Sequence, residues 1–405
     1  MDITGISFVD ELELKGKKVF IRVDFNVPLD GDKITDDARI RAAIPTIEYV
    51  VEQGGFPIIA SHLGRPKGQP NPKYSMEPVA KHLAKLTGYE VILPESVLEG
   101  VIPTLISDLK PEQVVLLENL RFHPGEEKGD AEFAKALAAF ADVYVSDAFG
   151  AMHRKHASVY QMIQYFGRGK KAAGFLVRDE IKALGGLMRQ PERPFVAVMG
   201  GAKVSDKIGV LTSLIEKVDT VIIGGAMAYT FLAAQGISMG SSMVEKDHVG
   251  TASKILQRAL QLKKAVILPV DHVIAESFDT TDPALVKTTA DVSIMDGWMG
   301  LDIGPKTVDH FVGAIENARS VFWNGPMGVF ESELFKNGTM KIAHAIANAN
   351  GFTVIGGGDS ASAAKVAGVE KKVDHISTGG GASLELIENG SLPGIEALRV
   401  NHPFE

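Results

Sequence analysis

The chain has 405 residues, a formal net charge of −8 at pH 7 and no cysteine. That length allows two or three domains with a core that needs no covalent staple. The missing cysteines exclude disulfide frameworks, thiolate zinc sites and cysteine nucleophiles and fit a cytoplasmic chain, while the acidic balance argues against general nucleic-acid binding.

Residues 1–4 have neither the basic nor the apolar stretch of a secretory signal. No apolar run approaches the roughly 20 residues that a bilayer-spanning helix needs, so no membrane partner is expected. In the first half, apolar runs at 19–23, 57–60, 114–117 and 143–145 read as strands. They are near-continuous, not alternating, which marks strands buried on both faces of a parallel sheet. Helical patterns lie between them. One spans 40–51 despite Pro45, one starts at Ser75 and stops near Gly88, and one is capped by Asp130 and carries Phe133, Leu137 and Phe140.

Residues 176–188 read as a helix, and Pro191 and Pro194 then close it before the next strand. In the second half, strand runs are expected at 195–198, 220–223, 265–268, 320–323, 353–355 and 375–377. Ser205 is placed to cap a helix with apolar positions Ile208, Leu211, Ile215 and Val218. Alternation of strand and helix along the whole chain predicts an α/β protein with doubly wound sheets.

Ligands of such sheets sit at the carboxyl ends of the strands. In the first half those ends carry Asp24 and Asn26, His62 and Arg65, Arg121, and Arg154 shortly after the fourth run. Arg39, near a helix start, is placed to join them. Several guanidinium forks together suit a small molecule bearing phosphate and carboxylate. Taken singly, each arginine also fits a solvated surface, and Asp24 and Asn26 fit a turn before Pro28.

In the second half the strand ends are glycine-rich: Gly200-Gly201, Gly224-Gly225, Gly356-Gly357-Gly358 and Gly379-Gly380-Gly381. Glycine lets phosphate oxygens approach the backbone, and the following helix N-termini offer free N–H groups. A tight strand-to-helix turn is the plain alternative for any one pair. Lys203 and Lys207 flank the start of the Ser205 helix, where a cation opposes the helix dipole unless an anion is bound. Asp359 is suited either to hold Mg²⁺ on a nucleotide or to cap the next helix with Ser360. His153 and His156 are three apart, but no third metal ligand accompanies them. The P-loop pattern and the dinucleotide fingerprint are both absent, which disfavours an oxidoreductase. A kinase for another small acid and a non-catalytic anion-binding protein that closes on its ligand remain as rivals.

The motifs RVDFNVP at 22–28, SHLGRP at 61–66, ENLRFH at 118–123, SDAFGAMHRKHAS at 146–158, GGAKVSDK at 200–207, GLDIGP at 300–305, WNGPMGVFE at 323–331, GGGDSA at 356–361 and STGGGASLE at 377–385 run through the chain. In order and spacing this set resembles the phosphoglycerate kinase family. The resemblance implies two doubly wound, Rossmann-like parallel-sheet domains joined by a helix, with an interdomain cleft. It assigns 1–172, with 391–405 packed back on it, to the first domain and 173–390 to the second, with 176–190 as the connecting hinge.

It further implies that Asp24, Phe25, Asn26, Arg39, His62, Leu63, Gly64, Arg65, Arg121 and Arg154 hold 3-phosphoglycerate. Mg-ATP or Mg-ADP would be held by Gly201, Ala202, Lys203, Lys207, Gly225, Gly300, Leu301, Asn324, Pro326, Glu331, Gly357, Gly358, Asp359 and Ser360, with Asp359 facing the metal. Arg39, Lys203, Gly358 and Gly381 would carry the transfer that interconverts 3-phosphoglycerate and 1,3-bisphosphoglycerate. The expected enzyme is a cytoplasmic monomer. Ser146, Met152 and Ala226 depart from residues common in the family.

Overall fold

A computed structural model describes residues 3–98, 100 and 102–404. The chain forms two compact units, Met1–Lys182 with Ser391–Glu405, and Ala183–Gly390. The division falls inside the helix Phe175–Arg189.

The first unit holds a six-stranded sheet in the order Glu90–Ile92, Gln113–Leu116, Phe56–Ala60, Lys18–Val23, Val143–Asp147, Lys171–Ala173. Every pairing in it is parallel. The strands expected from the apolar runs are all present, buried through their centres. The expected helices form Ala38–Glu52, Glu77–Thr87 and Ala131–Ala138. Their ends follow local chemistry. Asp130 accepts a hydrogen bond from Phe133 N at 2.8 Å, and Gly88 closes its helix at φ +77°. Residues from the C-terminal segment hydrogen-bond to this unit: Gly394 N donates to Met152 O at 2.8 Å, and Val400 N to Gly5 O at 3.0 Å.

The second unit holds another six-stranded, all-parallel sheet. Its order is Ala265–Ile267, Thr220–Ile223, Phe195–Met199, Ser320–Asn324, Phe352–Ile355, His375–Ile376. All six were expected from the sequence. A small antiparallel sheet of His272–Ala275, Lys287–Thr288 and Met299–Ile303 was not.

Strand order decides where a ligand sits. In each sheet the first strand of the unit is central, with the strands that follow it soonest in the chain on one side and the later ones on the other. The order reverses between Lys18–Val23 and Val143–Asp147 in the first unit. In the second it reverses between Phe195–Met199 and Ser320–Asn324. The loops leaving the carboxyl ends of such a pair must diverge, and the crevice they leave is the ligand site of open α/β sheets.

Candidate functional site

In the first unit the crevice opens where Val23 pairs with Asp147. Asp24 leaves the strand there. Its Oδ2 accepts a hydrogen bond from Arg39 Nη1 at 2.9 Å, and its Oδ1 accepts one from Asn26 N at 3.2 Å. Asn26 Oδ1 in turn accepts from Gly64 N at 2.9 Å, and Gly64 O accepts from Arg121 Nη1 at 2.9 Å. One continuous chain of hydrogen bonds thus links the ends of three neighbouring strands. Gly64 has φ +61°, and a Cβ there would run into the Tyr74 ring, so the turn requires glycine.

Below this layer lies Arg22, 1% exposed within the otherwise apolar run 19–23. Its Nε donates to Ser158 Oγ at 2.7 Å, its Nη2 to His62 Nδ1 at 3.3 Å, and its Nη1 to Val23 O. Burial comes first, and then the charges of Arg22, Arg121 and Arg39 and the nearby His156, in holding the His62 imidazole well below its ordinary value. Burial, then Arg121, Arg22 and Arg154, with His153 adding to them, holds His156 at about 3. These shared electrostatic neighbours gather Arg39, His62, Arg121, Arg154 and His156 around one region. Arg65 and Arg154 are exposed. Phe25 and Leu63 point their side chains into the core, leaving only backbone to meet a ligand. Arg22, Glu126, His156 and Ser158 were not read as site residues. An arginine inside a buried apolar run was the available signal for the first.

In the second unit the crevice lies where Met199 pairs with Asn324. Gly200 N donates to Asn324 O at 2.9 Å, and Gly201 N donates to Pro326 O at 2.8 Å. Gly201 has φ +102°, and a Cβ on Gly200 would strike the carbonyls of Gly325 and Pro326. Asn324 Nδ2 donates to Gly356 O at 2.7 Å, and Ser360 Oγ accepts from Gly325 N at 2.6 Å. Asn324 and Ser360 are buried and bind the glycine loops to each other. Ser360 therefore does not cap the helix Gly358–Val366, which follows Gly357 at φ +90° without a side-chain cap.

A cavity of about 480 Å³ opens above these loops. Gly201, Ala202, Gly225, Gly300, Leu301, Pro326, Glu331 and Asp359 line it, all of them expected. Tyr229, Ser241, Met243, Phe278, Met299 and Val329 also line it and were not expected. Lys207 lies beneath the loop, its Nζ donating to Gly200 O at 2.6 Å and Asn324 O at 3.2 Å. Burial pushes its ammonium down to about 8, while Asp359 and Asp206 pull the other way. Lys203 is exposed on the same loop. Gly358 and Gly381 each begin a helix, the second after Gly380 at φ +54°.

The Ser205 helix needs correction. Residues Ser205–Lys207 form a 3-10 turn, and the α-helix is Ile208–Ile215. Ser205 Oγ does not cap it but donates to Glu245 Oε1 at 2.6 Å, while Glu245 Oε2 accepts from Ser205 N at 3.1 Å and from Val204 N. The protein thus supplies its own anion to this turn, from 40 residues away.

The family model described as phosphoglycerate kinase matches residues 9–390. The chain belongs to the phosphoglycerate kinase family. It is 54% identical over 398 residues to a phosphoglycerate kinase of Anaeromyxobacter sp. strain Fw109-5, covering 97% of this chain and 99% of the relative. Against the phosphoglycerate kinase of Moorella thermoacetica the identity is 52% over 388 residues, 96% of this chain and 98% of the relative. The structure of phosphoglycerate kinase from Coxiella burnetii superposes with a TM-score of 0.86 at 37% identity, over 97% of this chain and 98% of that one. The family function is phosphoryl transfer between ATP and 3-phosphoglycerate in glycolysis, so the chain is a phosphotransferase. Among the described residues no helix is long and apolar enough to cross a membrane.

Phosphoglycerate kinases use nucleotide with magnesium. Among the described residues no group of three or more His, Cys, Asp or Glu side chains is set to cage a metal. Asp359 nevertheless fits magnesium. It is an exposed carboxylate on the cavity wall, and magnesium takes one or two carboxylates and completes its shell with phosphate oxygens and water.

Proposed function

We propose that the arginine-bearing crevice of the first unit holds 3-phosphoglycerate and the glycine-lined cavity of the second holds the magnesium nucleotide. The observation that carries this is the pairing of place with chemistry. Each crevice lies at the switch point of its own parallel sheet, one gathering guanidinium groups and the other exposing backbone at glycine turns.

In the first unit Arg39, Arg121, Arg154 and Arg65 neutralise the phosphate and carboxylate, and Asp24, Asn26 and Gly64 fix the loops that carry them. In the second, Gly201, Ala202, Gly225, Gly300 and Leu301 take the base. Glu331 takes the ribose, and Lys203, Lys207 and the Gly357–Ser360 turn take the phosphates. Asp359 would hold the magnesium, which neutralises phosphate charge when bound.

The acceptor is a carboxylate with an ordinary value near 4, already ionised at neutral pH, so no general base is needed. The protein has to align the reacting oxygens and balance charge on the moving phosphoryl. Arg39 and Lys203 supply that charge, with backbone N–H groups near Gly358 and Gly381. The two ligands belong to different units, so transfer requires closure with 176–190 as hinge, which also expels water. The working form is a cytoplasmic monomer, a reading that size-exclusion chromatography checks.

The experiment is a coupled assay with ATP and 3-phosphoglycerate on Arg39→Ala and Lys203→Ala. Each substitution lowers kcat by at least about 100-fold, the scale for losing one charge contact made in the transition state. Near-normal kcat in both variants would overturn the assignment.

A further inference from the structure

Arg22 does not reach a ligand, since it is 1% exposed, yet it touches His62 of the first site. Its own charge is met by Glu126, which is fully buried, with Arg22 Nη2 3.8 Å from Glu126 Oε1. Ser158 bridges the two. Its hydroxyl donates to Glu126 Oε1 at 2.6 Å and accepts from Arg22 Nε at 2.7 Å, and its backbone N donates to Glu126 Oε2 at 3.0 Å. The guanidinium plane is therefore fixed from below.

A guanidinium has donors only. The contact of Arg22 Nη2 with His62 Nδ1 thus requires a bare lone pair on Nδ1. A neutral imidazole with Nδ1 bare carries its proton on Nε2. Among the described residues no hydrogen bond is made by Nε2, so it is the ring atom left for a ligand.

We infer that Glu126, Ser158 and Arg22 are a buried positioning relay that holds His62 neutral, with its proton on Nε2, as a hydrogen-bond donor to the substrate and not as a cation. The inference rests on reading this crevice as the 3-phosphoglycerate site. Arg22 comes from the strand, Arg39 from the helix behind it, Arg121 from the next strand end and His156 from the following loop, and all four oppose a second proton. Asp24 favours one, but its Oδ1 lies 3.9 Å from Nδ1, beyond hydrogen-bond reach, and the carboxylate already accepts from Arg39 and Asn26. Charge on the substrate is then balanced by arginines, while His62 supplies direction.

The test is imidazole ¹⁵N NMR on the full chain without substrate, with His62 assigned by its loss in His62→Gln. The expected spectrum is the neutral Nε2–H form with no titration between about pH 5.5 and 8. A His62 signal titrating near its ordinary value, or a proton on Nδ1, would overturn the inference. Ser158→Ala should mix the tautomers and raise the KM for 3-phosphoglycerate by about three- to tenfold with the nucleotide KM unchanged. If that variant does not fold, the wild-type spectrum still decides.

A second arm compares His62→Gln, a neutral donor, with His62→Lys, a cation. Gln should keep the KM within about tenfold of wild type and Lys should be worse, and the reverse order refutes the neutral donor. Unchanged KM for 3-phosphoglycerate in both Arg39→Ala and Arg121→Ala would instead sink the site reading, and with it the role given to His62, whatever tautomer the spectrum shows.

Discussion

Lys207 offers the sharpest measurement of the second site. Its ammonium is held between two carbonyl oxygens, Gly200 O and Asn324 O, and burial brings it down to about 8 from an ordinary 10.5. That gap corresponds to about 3 kcal/mol against the charged form. The folded value lies below the unfolded one, so between the two the unfolded chain binds more protons and stability rises with pH. The destabilisation is fully present below about 8, where the buried lysine is charged.

Under the proposed assignment a nucleotide phosphate beside Nζ would add counter-charge and return the group toward its ordinary value. At about pH 8 half the lysines are neutral, so binding one Mg-ADP should take up about half a proton through this group; near pH 6.5 it should take up almost none. Titration calorimetry in two buffers of different ionisation heat reads this number directly. Lys207→Arg keeps a charge that does not titrate, so its uptake at pH 8 should vanish while binding persists. Absence of uptake in the wild type, or equal uptake in the arginine variant, would refute the argument.

Glu245→Ala removes the acceptor of Ser205 and Val204 at the start of the glycine-loop turn and should cost about 1–2 kcal/mol, read from urea unfolding. Burial works against this carboxylate, but the Ser205 and Val204 hydrogen bonds win and hold it below its ordinary 4.5. Its contribution is therefore full above that value and is lost as pH falls beneath it. Gly200→Ala puts a Cβ into two backbone carbonyls that cannot move aside, so nucleotide affinity should fall at least about tenfold with a stability loss of about 1–3 kcal/mol. Gly394→Ala sets a Cβ 3.0 Å from Met152 Cβ and 3.1 Å from its Cα. It should destabilise by about 1–3 kcal/mol and raise the KM for 3-phosphoglycerate, because Met152 leads into Arg154; a wild-type KM and unfolding midpoint would contradict the packing argument.

The parallel strands were legible because burial on both faces writes itself as a run of apolar residues, as in Val19 to Ile21 and Val221 to Ile223. The two strands missed from the first sheet lack that mark. Glu90–Ile92 is a partly exposed edge, and Lys171–Ala173 begins with a lysine. That lysine is buried, its Nζ donating to Ala397 O at 2.8 Å, 226 residues away. The sheet order was not legible either, since a run says that a strand is buried but not beside which neighbour.

The same division holds in the sites. Gly201, Gly225, Gly357 and Gly380 all take positive φ, and glycine pairs at strand ends announce such turns. Met243 and Glu245, from one loop, and Phe278, from another, reach the second site where nothing local distinguishes a loop carboxylate or an exposed apolar side chain from any other. Ser205 looked like a helix cap because its neighbours fit one, and a carboxylate from elsewhere took its hydroxyl instead.

The two crevices also balance charge by different means, and this bears on how each selects its ligand. In the first, carboxylates stand in for the anion. Asp24 holds Arg39 at 2.9 Å, and Glu127 lies 3.4 Å from Arg121 Nε. An incoming phosphate or carboxylate must compete with these partners, so a weakly charged ligand gains little, whereas one with two anionic groups engages several guanidinium forks at once. In the second, the buried lysine is hydrogen-bonded to two carbonyl oxygens, and burial outweighs the pull of Asp359 and Asp206, so its charge is left under-compensated. There the first anion to arrive relieves a standing cost. Under the proposed assignment the first crevice would discriminate by the number and spacing of charges, and the second by the presence of a phosphate at one point, with the apolar wall of Leu301, Met299 and Phe278 left to judge the base.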